Sequence, residues 1–104
     1  MSIKYKRDLE RIWNTVSSNI ILPKSVKITD VEYSIGWDRT TYILLELNDQ
    51  AIFFILDTDG PYIQLFSHHQ IKNDLIEVAI NVKNLLTQII YPKQCIQSKT
   101  AKSD

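Results

Sequence analysis

Residues 42–56 read YILLELNDQAIFFIL, which is two apolar runs separated by Asn48-Asp49. Both runs are rich in the aliphatic and aromatic residues that favour strands, and an Asn-Asp pair between such runs is a short hairpin signal. The second run, at positions 52–56, is apolar without interruption, which indicates a central strand covered on both faces. The stretch therefore predicts an antiparallel hairpin in the middle of a sheet.

Two further strands flank this hairpin. Upstream, residues 30–37 alternate between polar and apolar side chains, which is typical of a half-buried strand; the apolar positions are Val31, Tyr33, Ile35 and Trp37. A polar turn at 38–40 joins this strand to the hairpin. Downstream, a turn at 57–61, in which Gly60 is free to adopt a positive φ, leads into a fourth strand at 62–66. Four consecutive strands with tight turns predict an antiparallel meander.

The sequence before the sheet predicts an amphipathic helix over residues 3–19. Apolar residues recur there at spacings of three and four and define the buried side: Tyr5, Leu9, Ile12, Trp13, Val16 and Ile20. The opposite side carries a basic stripe with polar neighbours: Lys4, Arg7, Arg11, Asn14 and Ser18. Pro23 ends the pattern because proline cannot continue a helix.

A second helix is predicted after the sheet. Ser67 and Gln70 match a capping box, and Phe66 and Ile71 occupy the positions of a hydrophobic staple, so we expect the helix to begin there. Its apolar face continues to Tyr91-Pro92, which gives a helix of about 24 residues, or ~36 Å.

This order of elements predicts an α+β domain over residues 1–92, followed by a polar tail at 93–104. We expect both helices to pack on one face of the meander, the face of Ile43, Leu45, Leu47, Ile63 and Leu65. The other face is then open, and we expect a partner, another copy or the tail to cover it, because its residues are more apolar than water requires: Tyr42, Leu44, Glu46, Tyr62, Gln64 and Phe66.

Composition sets the class of protein. The chain has 104 residues, of which 44% are hydrophobic, and only two are glycine and three proline, as in a packed single domain. Charges near the N-terminus, the absence of an 18-residue apolar run and the single cysteine, Cys95, lead us to expect a cytoplasmic protein with no membrane segment.

Charge is segregated along the chain although it sums to zero. Residues 28–80 hold nine acidic and two basic residues, a net charge of −7, whereas residues 1–27 carry +4 and residues 81–104 carry +3. An acidic surface with aromatic residues nearby suits a basic protein partner. The alternative is that these carboxylates are ordinary solvated turn and strand residues.

Motifs for metal or phosphate chemistry fail on spacing. If Gly60 is aligned with the invariant glycine of a calcium loop, Ile55 falls at the first ligand position and Phe66 replaces the bidentate Glu. Neighbouring His68 and His69, in the first turn of the predicted helix, would diverge by ~100°, which hinders chelation. The two glycines form no phosphate loop. We therefore predict no metal and no cofactor.

Other functions remain as alternatives. The stripe of Lys4, Arg7 and Arg11 favours phosphate contacts, but neutral net charge and the acidic middle oppose nucleic-acid binding. A small enzyme would have to use His68 or His69 with Asp57 or Asp59 as acid and base, or Cys95 as nucleophile. No spacing signature supports either arrangement. We predict that the chain is not an enzyme.

In size, mixed α/β plan and the run of acidic residues between positions 30 and 77, the chain resembles small acidic bacterial immunity proteins, such as those of contact-dependent growth inhibition systems. The resemblance rests on overall layout and not on a shared motif. It implies a protein that binds a cognate toxin domain, often a basic nuclease, and occludes its active site or substrate groove.

The leading hypothesis is therefore a stoichiometric protein inhibitor. Its predicted partner-binding residues lie on or beside the open face: Glu32, Asp38, Tyr42, Glu46, Asp57 and Asp59. The alternative is a secretion chaperone or self-associating adaptor that uses the apolar part of that face. A monomer fits the first reading, and a homodimer fits the second.

Overall fold

The computed structural model describes residues 3–36, 41–56 and 63–92. Within them, the four strands form one sheet in the order β1-β2-β3-β4, with every neighbouring pair antiparallel. The elements are α1 (Lys6–Asn19), β1 (Ile28–Ser34), β2 (Thr41–Leu47), β3 (Gln50–Leu56), β4 (Ile63–Phe66) and α2 (Asn73–Ile90). The predicted α+β plan of helix, four-stranded meander and helix is confirmed. The turns predicted at 38–40 and 57–61, Trp37, Tyr62 and the tail at 93–104 lie outside the described residues.

The hairpin of β2 and β3 has a left-handed two-residue turn. Asn48 and Asp49 have φ of 50° and 66°, and they connect strands in which Leu47 pairs with Gln50. Asparagine and aspartate tolerate this conformation better than other non-glycine residues, and its twist matches that of the flanking strands. The predicted hairpin and its turn are confirmed.

One face of the sheet belongs to the hydrophobic core. Seven strand residues on this face are at most 3% exposed, namely Ile43, Leu45, Leu47, Ile52, Phe54, Leu56 and Ile63. Buried residues of α1 (Leu9, Ile12, Trp13 and Val16) and of α2 (Leu75, Val78, Ala79, Val82, Leu86 and Ile90) join them in a single cluster. Leu65, also expected on this face, is half-buried and packs against the cluster. The core thus lies between the helices and one sheet face.

The prediction that β3 is covered on both faces is wrong for the described part of the chain. Strand alternation turns Phe53 and Ile55 away from the core, and both remain half-buried. β3 does lie centrally, between β2 and β4. Its unbroken apolar run therefore supplies the core on one side and an apolar surface on the other.

The predicted start of α2 is also wrong. The helix begins at Asn73, after an N-cap at Lys72, and has 18 residues. The Ser67 hydroxyl instead donates a hydrogen bond to the carbonyl of Ala51 in β3 (3.1 Å). The same hydroxyl accepts a hydrogen bond from the His69 N–H (3.3 Å). A tertiary hydrogen bond thus takes the hydroxyl expected to cap the helix. Ile71, expected on the helix, precedes it and packs against the core.

α1 begins with a carboxylate cap. The backbone N–H groups of Lys4 and Tyr5 donate to Asp8 Oδ2 at 3.0 and 2.9 Å, which satisfies donors that a helix start leaves free. These bonds, with the nearby charges of Arg11 and Arg7, hold the pKa of the Asp8 carboxyl below its ordinary value of 3.8. Tyr5, expected on the buried side, is the N-cap residue and is 58% exposed.

The turn at Asn48 also holds the connector between α1 and β1. The Asn48 amide donates from Nδ2 to the Ser25 carbonyl (2.8 Å) and accepts the Lys27 N–H at Oδ1 (2.8 Å), and its own N–H donates to the Lys27 carbonyl (2.9 Å). A bulge at Thr29 lets the Thr29 hydroxyl bond both the Glu46 carbonyl and the Asp49 N–H.

Asn48→Ala should lower the free energy of unfolding by about 2 kcal/mol, because it removes two side-chain hydrogen bonds and disfavours the left-handed backbone. Asn48→Gly is the matched control: it loses the same hydrogen bonds but keeps the backbone freedom, so we expect a loss of about 1 kcal/mol. Urea denaturation of the two variants measures the difference. Equal losses would mean that the turn conformation contributes nothing.

The Asp8 cap should make stability fall in acid. Because the pKa of Asp8 is lower in the folded than in the unfolded chain, its contribution is present above about pH 4 and is lost as the pH falls through the folded value. Asp8→Asn should flatten this part of the stability profile between pH 5 and about pH 2, as followed by urea denaturation. Glu10→Gln, which removes a carboxylate from the same helix without touching the cap, should leave the Asp8-dependent slope in place.

Candidate protein-binding face

The sheet face opposite the core is the candidate site, and we call it the open face. Strand pairing places its residues in rows across the sheet: Ser34, Tyr42, Ile55 and Gln64; Glu32, Leu44, Phe53 and Phe66; and Asp30, Glu46 and Ala51. All of them are half-buried or exposed. The face is therefore divided, with carboxylates toward β1 and aromatic residues toward β3 and β4.

The aromatic half is a connected cluster around Phe53. The Phe53 ring lies 5.4 Å from that of Tyr42, 6.1 Å from that of Phe66 and 5.8 Å from that of His68, measured between ring centroids. His68 also meets Phe66 edge-on at 4.9 Å. Edge-to-face pairs at these distances are favourable beyond the area they bury. The cluster is thus formed within the folded chain itself, although Phe66 remains 46% exposed.

These four rings and Ile55 line a concavity of about 230 Å³, which we call the aromatic groove. Its lining is almost entirely apolar. Pockets for small molecules are usually larger, at roughly 300–1,000 Å³, and they combine apolar walls with a few polar groups. The size and chemistry of the groove suit one large apolar side chain from a protein partner.

The acidic half places like charges at paired positions of β1 and β2. Asp30 and Glu46 are direct cross-strand partners on the open face, and Glu32 lies two positions along β1 on the same side. Like charges placed directly opposite destabilise a sheet by a few tenths of a kcal/mol, up to about 1. The described strand positions of this face include no lysine or arginine that would compensate. The repulsion is available to be relieved by a cation from outside.

The structure brings together three of the predicted partner-binding residues. Glu32, Tyr42 and Glu46 all lie on the open face, with Glu32 exposed and the other two half-buried. The other three, which are Asp38, Asp57 and Asp59, lie outside the described residues. Sequence reasoning missed Phe53, Ile55 and His68, since the uninterrupted run at 52–56 does not show which of its residues face outward.

The histidines differ from their prediction. His68 and His69 precede α2 and are not in its first turn, so the argument from divergent helical directions does not apply to them. His68 is an exposed rim of the aromatic groove, and not a solvated helix residue. Within the described residues, no three His, Cys, Asp or Glu side chains come together as a metal site. Cys95 lies outside the described residues.

A surface of opposite sign lies on the first turns of α1 and on the residues just before it. Lys4, Arg7 and Arg11 are all exposed, as the sequence pattern predicts. The Arg7 guanidinium lies 5.0 Å from the centre of the Tyr5 ring, within the range of a cation–π contact. The molecule therefore carries a basic, aromatic-tipped helix in one layer and an acidic, aromatic-lined face on the other side of the sheet.

No protein-family model, curated protein sequence or solved structure matches the chain. No helix among residues 3–36, 41–56 and 63–92 combines the length and apolarity that crossing a bilayer requires. The function is therefore argued from the open face itself.

The neighbours Phe53 and Phe54 test the division between the two faces. Phe54→Ala should lower the free energy of unfolding by about 3–5 kcal/mol because it opens a cavity in the core. Phe53→Ala, the same change one residue earlier, should lower it by no more than about 2 kcal/mol because its ring is already partly in water. Denaturant titration gives both values. The opposite ranking would contradict the strand register.

Proposed function

We propose that the chain is a cytoplasmic immunity protein, which binds a cognate toxin domain with a basic surface through the open face and occludes it. A nuclease is the kind of toxin this chemistry favours, because an enzyme that holds nucleic acid needs a cationic groove. The inhibitor acts by stoichiometric occlusion and performs no catalysis.

The observation that carries the proposal is the cross-strand pair of Asp30 and Glu46 on the open face. Like charges at paired strand positions disfavour the sheet by a small amount, which a cation brought by a partner would recover on binding. A lysine or arginine from a partner placed between the two carboxylates would turn repulsion into attraction. Exposed Glu32 extends the same potential, and complementary charge raises the rate of encounter.

The aromatic groove supplies the second part of the interaction. Interfaces usually owe most of their affinity to a few buried anchors, while surrounding polar contacts give orientation. Phe53 forms the floor of the groove and lies in the same row as Glu32, two strand spacings or ~10 Å away. A partner would therefore place an apolar anchor over Phe53 and a cation about 10 Å from it. Tyr42 lies between the two halves.

Asp38, Asp57 and Asp59, which the sequence predicts to lie in turns, extend this proposal. They flank β2, β3 and β4 in the chain, and they lie outside the described residues. Their carboxylates would enlarge the acidic surface.

A secretion chaperone or self-associating adaptor is the second candidate function. The aromatic groove favours it, because a largely apolar concavity would hold an unfolded segment or a second copy without help from charge. The two functions differ in salt dependence. Binding through the carboxylates weakens as salt is added, whereas binding through the groove alone does not.

Glu32→Lys/Glu46→Lys should abolish capture of a basic polypeptide from lysate of the cells that encode the chain. Reversing two contacting charges should weaken binding by about 2 kcal/mol or more, which is roughly a 30-fold rise in Kd. The measurement compares immobilised wild type and variant at low salt, followed by elution with salt. Glu77→Lys, a reversal on the exposed side of α2, is the matched control and should capture normally.

The captured polypeptide must then be toxic when expressed alone and harmless when expressed with the wild-type chain. Loss of this protection in Glu32→Lys/Glu46→Lys, but not in Glu77→Lys, completes the case. Capture of many unfolded proteins, insensitive to salt and to both variants, would instead support the chaperone function. Equal affinity of all three proteins for one toxin would overturn the role of the open face.

A further inference from the structure

The exposed cations and aromatic ring at the start of α1 complement the carboxylates and the aromatic groove of the open face. Lys4, Arg7 and Arg11 form the basic stripe, and the exposed Tyr5 ring lies against the Arg7 guanidinium. An aromatic side chain beside several cations is the same combination, an apolar anchor with a nearby positive charge, that fits the aromatic groove and the carboxylates. One molecule therefore carries both halves of an interface.

The spacings of the two surfaces also correspond. Along the helix, Tyr5 precedes Arg11 by about 9 Å, and the floor of the groove at Phe53 lies ~10 Å from Glu32. Tyr5 over the groove thus brings Arg11 to the carboxylates.

These two surfaces cannot meet within one molecule. The buried side of α1 joins the core that covers one face of the sheet, so the basic stripe points away on that side of the molecule, whereas the open face lies on the other. A contact between them must join two copies. A symmetric pairing of two open faces is disfavoured, because it would add the carboxylates of one copy to those of the other.

We propose that the chain self-associates head to tail, with the basic stripe and Tyr5 of one copy docked on the open face of the next. Such a contact uses two different patches on opposite sides of the molecule, so it builds an open chain, or a ring where the rotation between copies closes, and not a two-fold dimer. The inference does not depend on a toxin. If a basic toxin also binds the open face, the two contacts compete for it.

Two neutralising variants test the proposal by complementation. Glu32→Gln/Glu46→Gln keeps the stripe but weakens the open face, and Arg7→Gln/Arg11→Gln keeps the open face but weakens the stripe. In sedimentation velocity at 50 mM salt, the wild type should form species that grow with concentration, and raising the salt to 500 mM should shift it to monomer. Each variant alone should be monomeric at concentrations where the wild type associates.

An equimolar mixture of the two variants should restore association but stop at a one-to-one heterodimer, because only one intact stripe and one intact open face remain to meet. Circular dichroism confirms that both variants fold. A wild type that stays monomeric up to millimolar concentration at 50 mM salt would overturn the proposal. So would self-association that either variant leaves unchanged, or a mixture that behaves as the separate variants do.

The outcome of this test can be distinguished from that of the test of the proposed function. Arg7→Gln/Arg11→Gln should lose self-association and still bind a basic toxin, since its open face is intact. If it loses neither, the head-to-tail contact is absent whatever the toxin assay shows. If wild type self-associates as expected but captures no toxin, the assembly stands without the immunity function.

Discussion

The left-handed turn at Asn48 and Asp49 fixes which residues of the hairpin face each other. Successive side chains of a strand point to opposite faces, so a slip of one residue in β3 would send Phe53 into the core and Phe54 into water. The turn prevents this slip because it admits only two residues and sets the pairing of Leu47 with Gln50. The core and the open face both follow from that register. The Asn48 side-chain amide also fixes the connector before β1, through hydrogen bonds to the backbone of Ser25 and Lys27.

Once the register is set, the apolar run of β3 has two separate uses. Ile52, Phe54 and Leu56 complete a core that is nearly free of water, while Phe53 and Ile55 form the floor and wall of the aromatic groove. The helices contribute buried residues to the first side only. The apolar surface on the second side is thus a direct product of strand geometry, and the carboxylates of β1 and β2 give it charge at one end.

Most of the fold could be predicted from local patterns, because the order of polar and apolar residues in the sequence shows both strand alternation and helical periodicity. The sheet order, the Asn48-Asp49 turn and α1 followed from them. The start of α2 did not, because Ser67 and Gln70 match a capping pattern while a tertiary bond to Ala51 uses the Ser67 hydroxyl. No local rule records such a partner.

Only part of the candidate site could be predicted from the sequence. Glu32, Tyr42 and Glu46 were found because polar residues in β1 and β2 mark the outward positions. Phe53 was missed because an uninterrupted apolar run does not show which of its residues face the core and which face outward. Only the pairing of β3 with β2 decides this. His68 was missed because its contact with Phe53 joins segments that are distant in the chain.

The division of the sheet into two faces also bears on how such a protein can diverge. Residues of the open face lie outside the core cluster, so exchanging them costs less stability than exchanging the core residues. The surface of the open face and the hydrophobic core are thus encoded at alternating positions of the same strands, one residue apart. The chemistry of this surface can therefore change at every second residue of β1 to β4 while the core residues between them stay the same.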